Sequence, residues 1–133
     1  GIDIHLFVDI QSAKMRETDH AAQTIVRSNF RHMYWNMCQM LAHQTITGCN
    51  VNPGDIYGSG TVSGPEKESR GCLLELCWRG QEPITLPGTN EKRAFLADGD
   101  NVILRGFAGG DPKTSTHRIG FGECAGVVLP ARG

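Results

Sequence analysis

From Ile2 to Ile10 the apolar residues fall at positions 2, 4, 6, 8 and 10, the two-residue period of a half-buried strand. Gln11–His20 is polar and reads as a turn or loop. Ala21–Ser28, with Thr24, Ile25 and Val26, reads as a short strand returning antiparallel to the first. The period then changes. Phe30, Met33, Tyr34, Met37, Cys38 and Leu41 recur at helical spacing and mark one face of a helix. Ser28 or Asn29 supplies its N-cap and Gly48 its stop. This predicts a helix from Phe30 to about Gln44 whose apolar face packs on a sheet.

Past Gly48 no second helical pattern occurs. Pro53-Gly54-Asp55 turns into a strand-like run, Ile56–Ser63, and a second run, Gly71–Trp78, follows a polar connection that opens with Gly64-Pro65. A short run from Ile84 to Leu86 precedes the turn Pro87-Gly88-Thr89-Asn90. Glu91–Ala97 and Asn101–Phe107 give a hairpin signal about Asp98-Gly99-Asp100. The polar loop Gly109–Thr116 leads to two last runs, His117–Gly122 and Ala125–Leu129. Short strands with turns at this spacing predict a mainly β (α+β) fold, a sandwich or barrel carrying one helix.

Composition narrows this only slightly. The 133 residues suit one domain with a real core. A net charge of −1 with 20% charged residues gives no basis for nucleic-acid or anionic-membrane binding. No apolar run reaches membrane-spanning length. Five cysteines, without a CxxC pair, fit reduced thiols better than a disulfide framework or a zinc site. Gly1 has no methionine before it and a regular strand pattern starts at Ile2, as expected of a piece of a longer protein.

Candidate chemistry centres on Glu75, which lies among Cys72, Leu73, Leu74, Leu76, Cys77 and Trp78. On a strand it would share a face with Leu73 and Cys77. Burying an ionised carboxylate there costs several kcal/mol unless it is paired and hydrogen-bonded, which implies a partner. A solvated face is the alternative, and spacing does not separate the two. The remaining motifs are weak. Gly120-Phe121-Gly122-Glu123-Cys124-Ala125 fits GxGxxA, but a β-branched run ending at Pro130 follows where a helix is required. The histidines, 5, 20, 32, 43 and 117, fall in no metal spacing. Asp98 and Asp100 about Gly99 are too short a pattern for calcium.

Several blocks in order carry a resemblance. They are Tyr34-Trp35-Asn36-Met37, Gly48-Cys49-Asn50 with Pro53-Gly54-Asp55, and Ser59-Gly60-Thr61-Val62-Ser63-Gly64-Pro65-Glu66. Leu74-Glu75-Leu76 with Trp78, Phe95-Leu96 with Asp98-Gly99-Asp100, and Arg118 to Gly122 with Cys124-Ala125-Gly126 and Leu129-Pro130 complete them. Together they resemble the C-terminal region of the fumarylacetoacetase (fumarylacetoacetate hydrolase) family over nearly the whole chain.

The resemblance implies that residues 1–133 are the C-terminal portion of a catalytic domain with a β-sandwich roll of short strands and one long packed helix. It implies a cytoplasmic homodimer that cleaves the carbon–carbon bond of 4-fumarylacetoacetate to fumarate and acetoacetate, the last step of tyrosine and phenylalanine catabolism. Mg²⁺ and/or Ca²⁺ on carboxylates and a water-activating histidine belong to that pattern. Glu75 matches the glutamate that orients the histidine, and Thr61 matches a substrate-binding threonine. The metal carboxylates, the base histidine and an oxyanion-stabilising lysine would all lie upstream of Gly1. No metal ligand is assigned within this chain, which alone is expected to be inactive. The loop Gly109–His117 is longer than the family pattern. A relative acting on another β-diketone or acylpyruvate, or a non-catalytic β-sandwich binding module, is the alternative; metal carboxylates and a histidine upstream would separate enzyme from module.

Overall fold

The computed structural model describes residues 1–110 and 117–132, so the loop expected at Gly109–Thr116 falls largely outside the described residues, while Gly109 itself ends β5. In chain order the elements are β1 (Ile4–Gln11), α1 (Ala13–Glu17), β2 (Gln23–Asn29), α2 (Met37–Ile46), α3 (Leu73–Leu76), β3 (Ile84–Thr85), β4 (Lys92–Arg93), β5 (Asn101–Gly109) and β6 (Arg118–Val127). Antiparallel neighbours give a four-stranded sheet in the order β2-β1-β5-β6, and β3 and β4 form a separate ribbon. The mainly β, α+β class expected from the pattern is the one observed.

The alternation in β1 sets the two sheet faces. Val8 pairs with Val26 and Leu104, and Ile10 pairs with Val102, so one face is apolar. The other face carries Phe7, Asp9, Arg27 and Arg105. Asp9 is buried, and it accepts from Thr24 at 2.6 Å and pairs with Arg105 at 2.5 Å. The guanidiniums of Arg27 and Arg105 lie over Phe7, and that of Arg118 over Phe107. β6 runs unbroken through the two segments that the sequence pattern separates. Gly122, at φ +75°, lets the strand pass a conformation that L side chains rarely adopt.

Ile10, Met15 and Leu86 form the buried apolar cluster, with Ile25 and Ile84 against it. Met15 belongs to α1, where a loop was expected. Ser12 ends β1 and caps the helix, its Oγ accepting from Met15 N–H at 3.0 Å. The cap turns the chain so that Met15 points inward.

A polar network crosses this core. Arg93 donates to both oxygens of fully buried Asp100, at 2.8 and 3.0 Å, and to Glu91 Oε1 at 3.1 Å. Glu91 Oε2 accepts from Ser12 Oγ at 2.5 Å and from Thr89 Oγ1 at 2.8 Å. α1, the β4 segment and the start of β5 are thereby tied together.

Several expected elements differ. The predicted helix Phe30–Gln44 starts later, because Phe30–His32 is a 3-10 turn and Met33 is already extended. α2 opens at Asn36 through a capping box, with Asn36 Oδ1 accepting from Gln39 N–H and Gln39 Oε1 from Asn36 N–H, both at 2.9 Å. Within this chain none of its residues is buried; Tyr34, Met37 and Leu41 face solvent, whereas Phe30 is in the core. The expected packed face is thus uncovered here. The run 56–63 is irregular, and β4 pairs with β3 rather than β5, so the expected hairpin about Asp98-Gly99-Asp100 does not form.

The hydrogen bonds from Ser12 and Thr89, with Arg93 alongside, hold the Glu91 carboxyl down at about 2, against an ordinary value of 4.5. A lowered carboxyl contributes stability that is complete above pH 4.5 and lost as pH falls toward 2. Glu91→Gln should therefore be less stable than wild type near neutrality, with the gap narrowing across that acid window. Denaturant titrations at a series of pH values measure it; a gap independent of pH would show that Glu91 carries no such linkage.

Candidate functional site

Residues 61–64 are pinned to the sheet and to the next segment although they form no regular element. Ser28 Oγ on β2 donates to Val62 O at 3.0 Å, and Gly64 N–H donates to Ser69 O at 2.9 Å. Gly71 N–H donates to Ser63 Oγ at 3.1 Å. The two stretches approach so closely that a Cβ at Gly71 would sit 2.6 Å from Val62 O and 2.8 Å from Thr61 Cγ2. Only glycine fits that junction.

Glu75 lies on α3, not on a strand. Leu73-Leu74-Glu75-Leu76 contains good helix formers and no β-branched residue, which favours the turn of helix. Trp78, Arg79 and Gly80 then adopt φ of +48°, +57° and +87° and end it. The alternation argument for the face of Glu75 therefore fails, but the carboxylate is still half-buried and partnered. Glu75 Oε2 accepts from Ser63 Oγ at 2.6 Å, with Cys72 Sγ at 3.5 Å. Its carbonyl accepts from Arg70 Nη1 at 3.1 Å, and that guanidinium lies 5.5 Å from the Trp78 ring centroid. Glu75 Oε1 has no hydrogen-bond partner among the described residues.

Thr61 is exposed, and its hydroxyl makes no hydrogen bond among the described residues. Thr61 and Glu75 thus flank one junction, the Ser63–Gly71 contact. Ser63 was missed from the sequence, since no periodicity links it to a carboxylate twelve positions on. Behind α3 an apolar hollow of about 450 Å³ opens between Leu73, Leu76 and the sheet residues Val8, Val26, Val102 and Leu104. A larger apolar cleft, about 1040 Å³, lies between α2 and Tyr57-Gly58-Ser59.

No histidine is among the partners of Glu75, and His43 lies exposed on α2. His32 sits beside Gly64, where an added Cβ would lie 2.8 Å from its ring. Among the described residues no group of three or more His, Cys, Asp or Glu side chains comes together to hold a metal ion. The described residues do not fit a metal centre. All five cysteines are free. Chemically, the arrangement offers an oriented acceptor oxygen beside a glycine-rich segment with a free hydroxyl.

These features define an α+β domain that presents an acceptor oxygen and a hydroxyl donor, and among the described residues no histidine partners the Glu75 carboxylate. The chain belongs to the fumarylacetoacetate hydrolase family, whose C-terminal model matches residues 8–129. It is 50% identical over 129 residues to fumarylacetoacetase of Homo sapiens, covering 97% of this chain and 29% of that protein. For the Bos taurus protein of the same name the identity is 51% with the same coverage. The Dictyostelium discoideum one is 48% identical over 130 residues, again 97% and 29% of the two chains. The chain thus spans less than a third of the length of these curated relatives.

The close approach at Gly71 gives a direct test. Gly71→Ala in the full-length protein should cost about 1–3 kcal/mol, because the added methyl meets a backbone carbonyl that cannot rotate away. Chemical denaturation reads this; a change within about 0.5 kcal/mol would show that the 62–63 backbone yields freely.

Proposed function

We propose that these residues are the C-terminal portion of the catalytic domain of a longer protein that hydrolyses the carbon–carbon bond of 4-fumarylacetoacetate, releasing fumarate and acetoacetate. That is the last step of tyrosine and phenylalanine breakdown. The observation that carries the reading is 48–50% identity across nearly the whole chain to fumarylacetoacetases from organisms as distant as Homo sapiens and Dictyostelium discoideum. The shortness of the chain relative to them supports its assignment as a portion, as does the uncovered apolar stripe of α2.

In this reading Glu75 is the carboxylate of a dyad whose histidine is supplied by sequence outside residues 1–133. Its free Oε1 is an acceptor for the histidine's second N–H, which would fix one tautomer and one ring orientation. The histidine then takes a proton from water. Thr61, exposed beside Gly60, offers its hydroxyl to a carboxylate or carbonyl of the bound diketone. Mg²⁺ or Ca²⁺ is expected on carboxylates outside this chain. The assembly is expected to be a cytoplasmic homodimer that takes a small β-diketone substrate and binds neither nucleic acid nor membrane. No helix among the described residues is long and apolar enough to cross a membrane.

Turnover of fumarylacetoacetate by the full-length protein, compared with an acylpyruvate, tests the substrate. A preference for the acylpyruvate would move the chain to a related hydrolase, and no turnover of either would favour a binding module.

Two substitutions in the full-length enzyme test the roles. Glu75→Gln keeps the shape but removes the charge that stabilises the imidazolium, so kcat should fall on the order of 10²–10⁴ with KM little changed. Near-normal kcat in a folded variant would remove Glu75 from the dyad. Thr61→Val should raise KM roughly ten- to a hundredfold, the worth of a hydrogen bond to a charged group. An unchanged KM would leave Thr61 as a turn residue.

A further inference from the structure

We infer that Ser63 is a positioning residue for Glu75, fixing the carboxylate in the rotation that leaves Oε1 open; this rests on the dyad reading above. A hydroxyl has one proton, and the direction of each bond here is settled by its partners. Gly71 N–H can only donate, so at 3.1 Å Ser63 Oγ accepts from it. The Ser63 proton is then left for Glu75 Oε2, at 2.6 Å. The Cys72 thiol at 3.5 Å is a much weaker donor to the same oxygen. Both donors, the strong hydroxyl and the weak thiol, engage Oε2, so the carboxylate is held there while Oε1 stays available.

The backbone around Ser63 is held as firmly as its side chain. Val62 O is tied to β2 through Ser28, and Gly64 N–H to Ser69 O. On the other side, Glu75 has its carbonyl held by Arg70. The hydroxyl therefore links two anchored segments, and its removal would free the carboxylate rather than displace the backbone. A carboxylate free to rotate about its last torsion presents Oε1 to a histidine for only part of the time. The loss falls on chemistry and not on ligand contact, because the Ser63 hydroxyl is already engaged by Gly71 N–H and Glu75 Oε2.

The test uses the full-length enzyme with fumarylacetoacetate. Ser63→Ala should lower kcat about ten- to a hundredfold with KM nearly unchanged. Ser63→Thr, which keeps the hydroxyl, should restore most of kcat. Combined with Glu75→Gln, Ser63→Ala should add little further loss, since both act on one carboxylate. If Ser63→Ala has wild-type kcat while Glu75→Gln is impaired, the positioning role is overturned and the dyad stands. If both have wild-type kcat, the dyad reading itself fails. Should Ser63→Ala not fold, Ser63→Cys keeps the size with a poor donor. An intermediate kcat in that variant supports the inference, and a wild-type kcat overturns it.

Discussion

The ion pair between Arg93 and Asp100 is the constraint from which most of the structure can be traced. Asp100 is fully buried and the Arg93 side chain is 12% exposed. Its backbone is a junction as well: Val128 N–H donates to Asp100 O, Gly99 N–H donates to Val128 O, and Arg16 Nη2 reaches Gly99 O at 2.6 Å. The start of β5, the last turn of α1 and the end of β6 therefore converge on one turn. Breaking a buried pair by removing one member costs about 3–5 kcal/mol, whereas a well-packed apolar replacement is often neutral. The pair holds β4 in one position against the start of β5. The next residue carries that arrangement to the site, because Ala94 O accepts from the buried Cys77 thiol at 2.9 Å. Cys77 follows α3, which holds Glu75.

The same device serves two carboxylates with different outcomes. Ser12 accepts from Met15 N–H and donates to Glu91, and Ser63 accepts from Gly71 N–H and donates to Glu75. Glu91 also receives Thr89 and Arg93, so both of its oxygens are occupied and its carboxyl is held low. A saturated carboxylate is a strut. Among the described residues the Glu75 carboxylate has no ion-pair partner and keeps one oxygen unbonded, which is the condition for accepting another partner.

β1, β2 and β5 begin within two residues of their expected starts. For β1 the reason is its two-residue alternation, which reflects a sheet with one apolar face. The helix was misplaced for a different reason. Apolar spacing from Phe30 continued smoothly through a 3-10 turn and an extended step, while the real start signal was the pair Asn36 and Gln39. At Glu75 the run of apolar residues was read as a strand although Leu-Leu-Glu-Leu favours helix. Glu75 stood out as a carboxylate in an apolar run and took its role from the family resemblance, which alone supplied Thr61. Ser63 and Gly71 became visible only when the two segments met in space, since a contact between irregular stretches has no period to read.

The exposed surface around α3 bears on how the site would be completed. Leu74, Trp78, Phe95 and Leu96 are each more than 40% exposed, and burial of such side chains contributes about 25 cal/mol per Å² of apolar area. Under the proposed reading, a covering segment gains this area but also dries the half-buried Glu75. One neutral hydroxyl does not offset the desolvation of a full charge. A segment that covered α3 without bringing a donor to Oε1 would then forfeit much of what it gained. On that reading, a segment that brought a histidine N–H to Oε1 would recover both terms at once. Apolar docking and dyad formation would then be a single step: the contact that excludes water from Glu75 would also carry the donor that makes its charge tolerable.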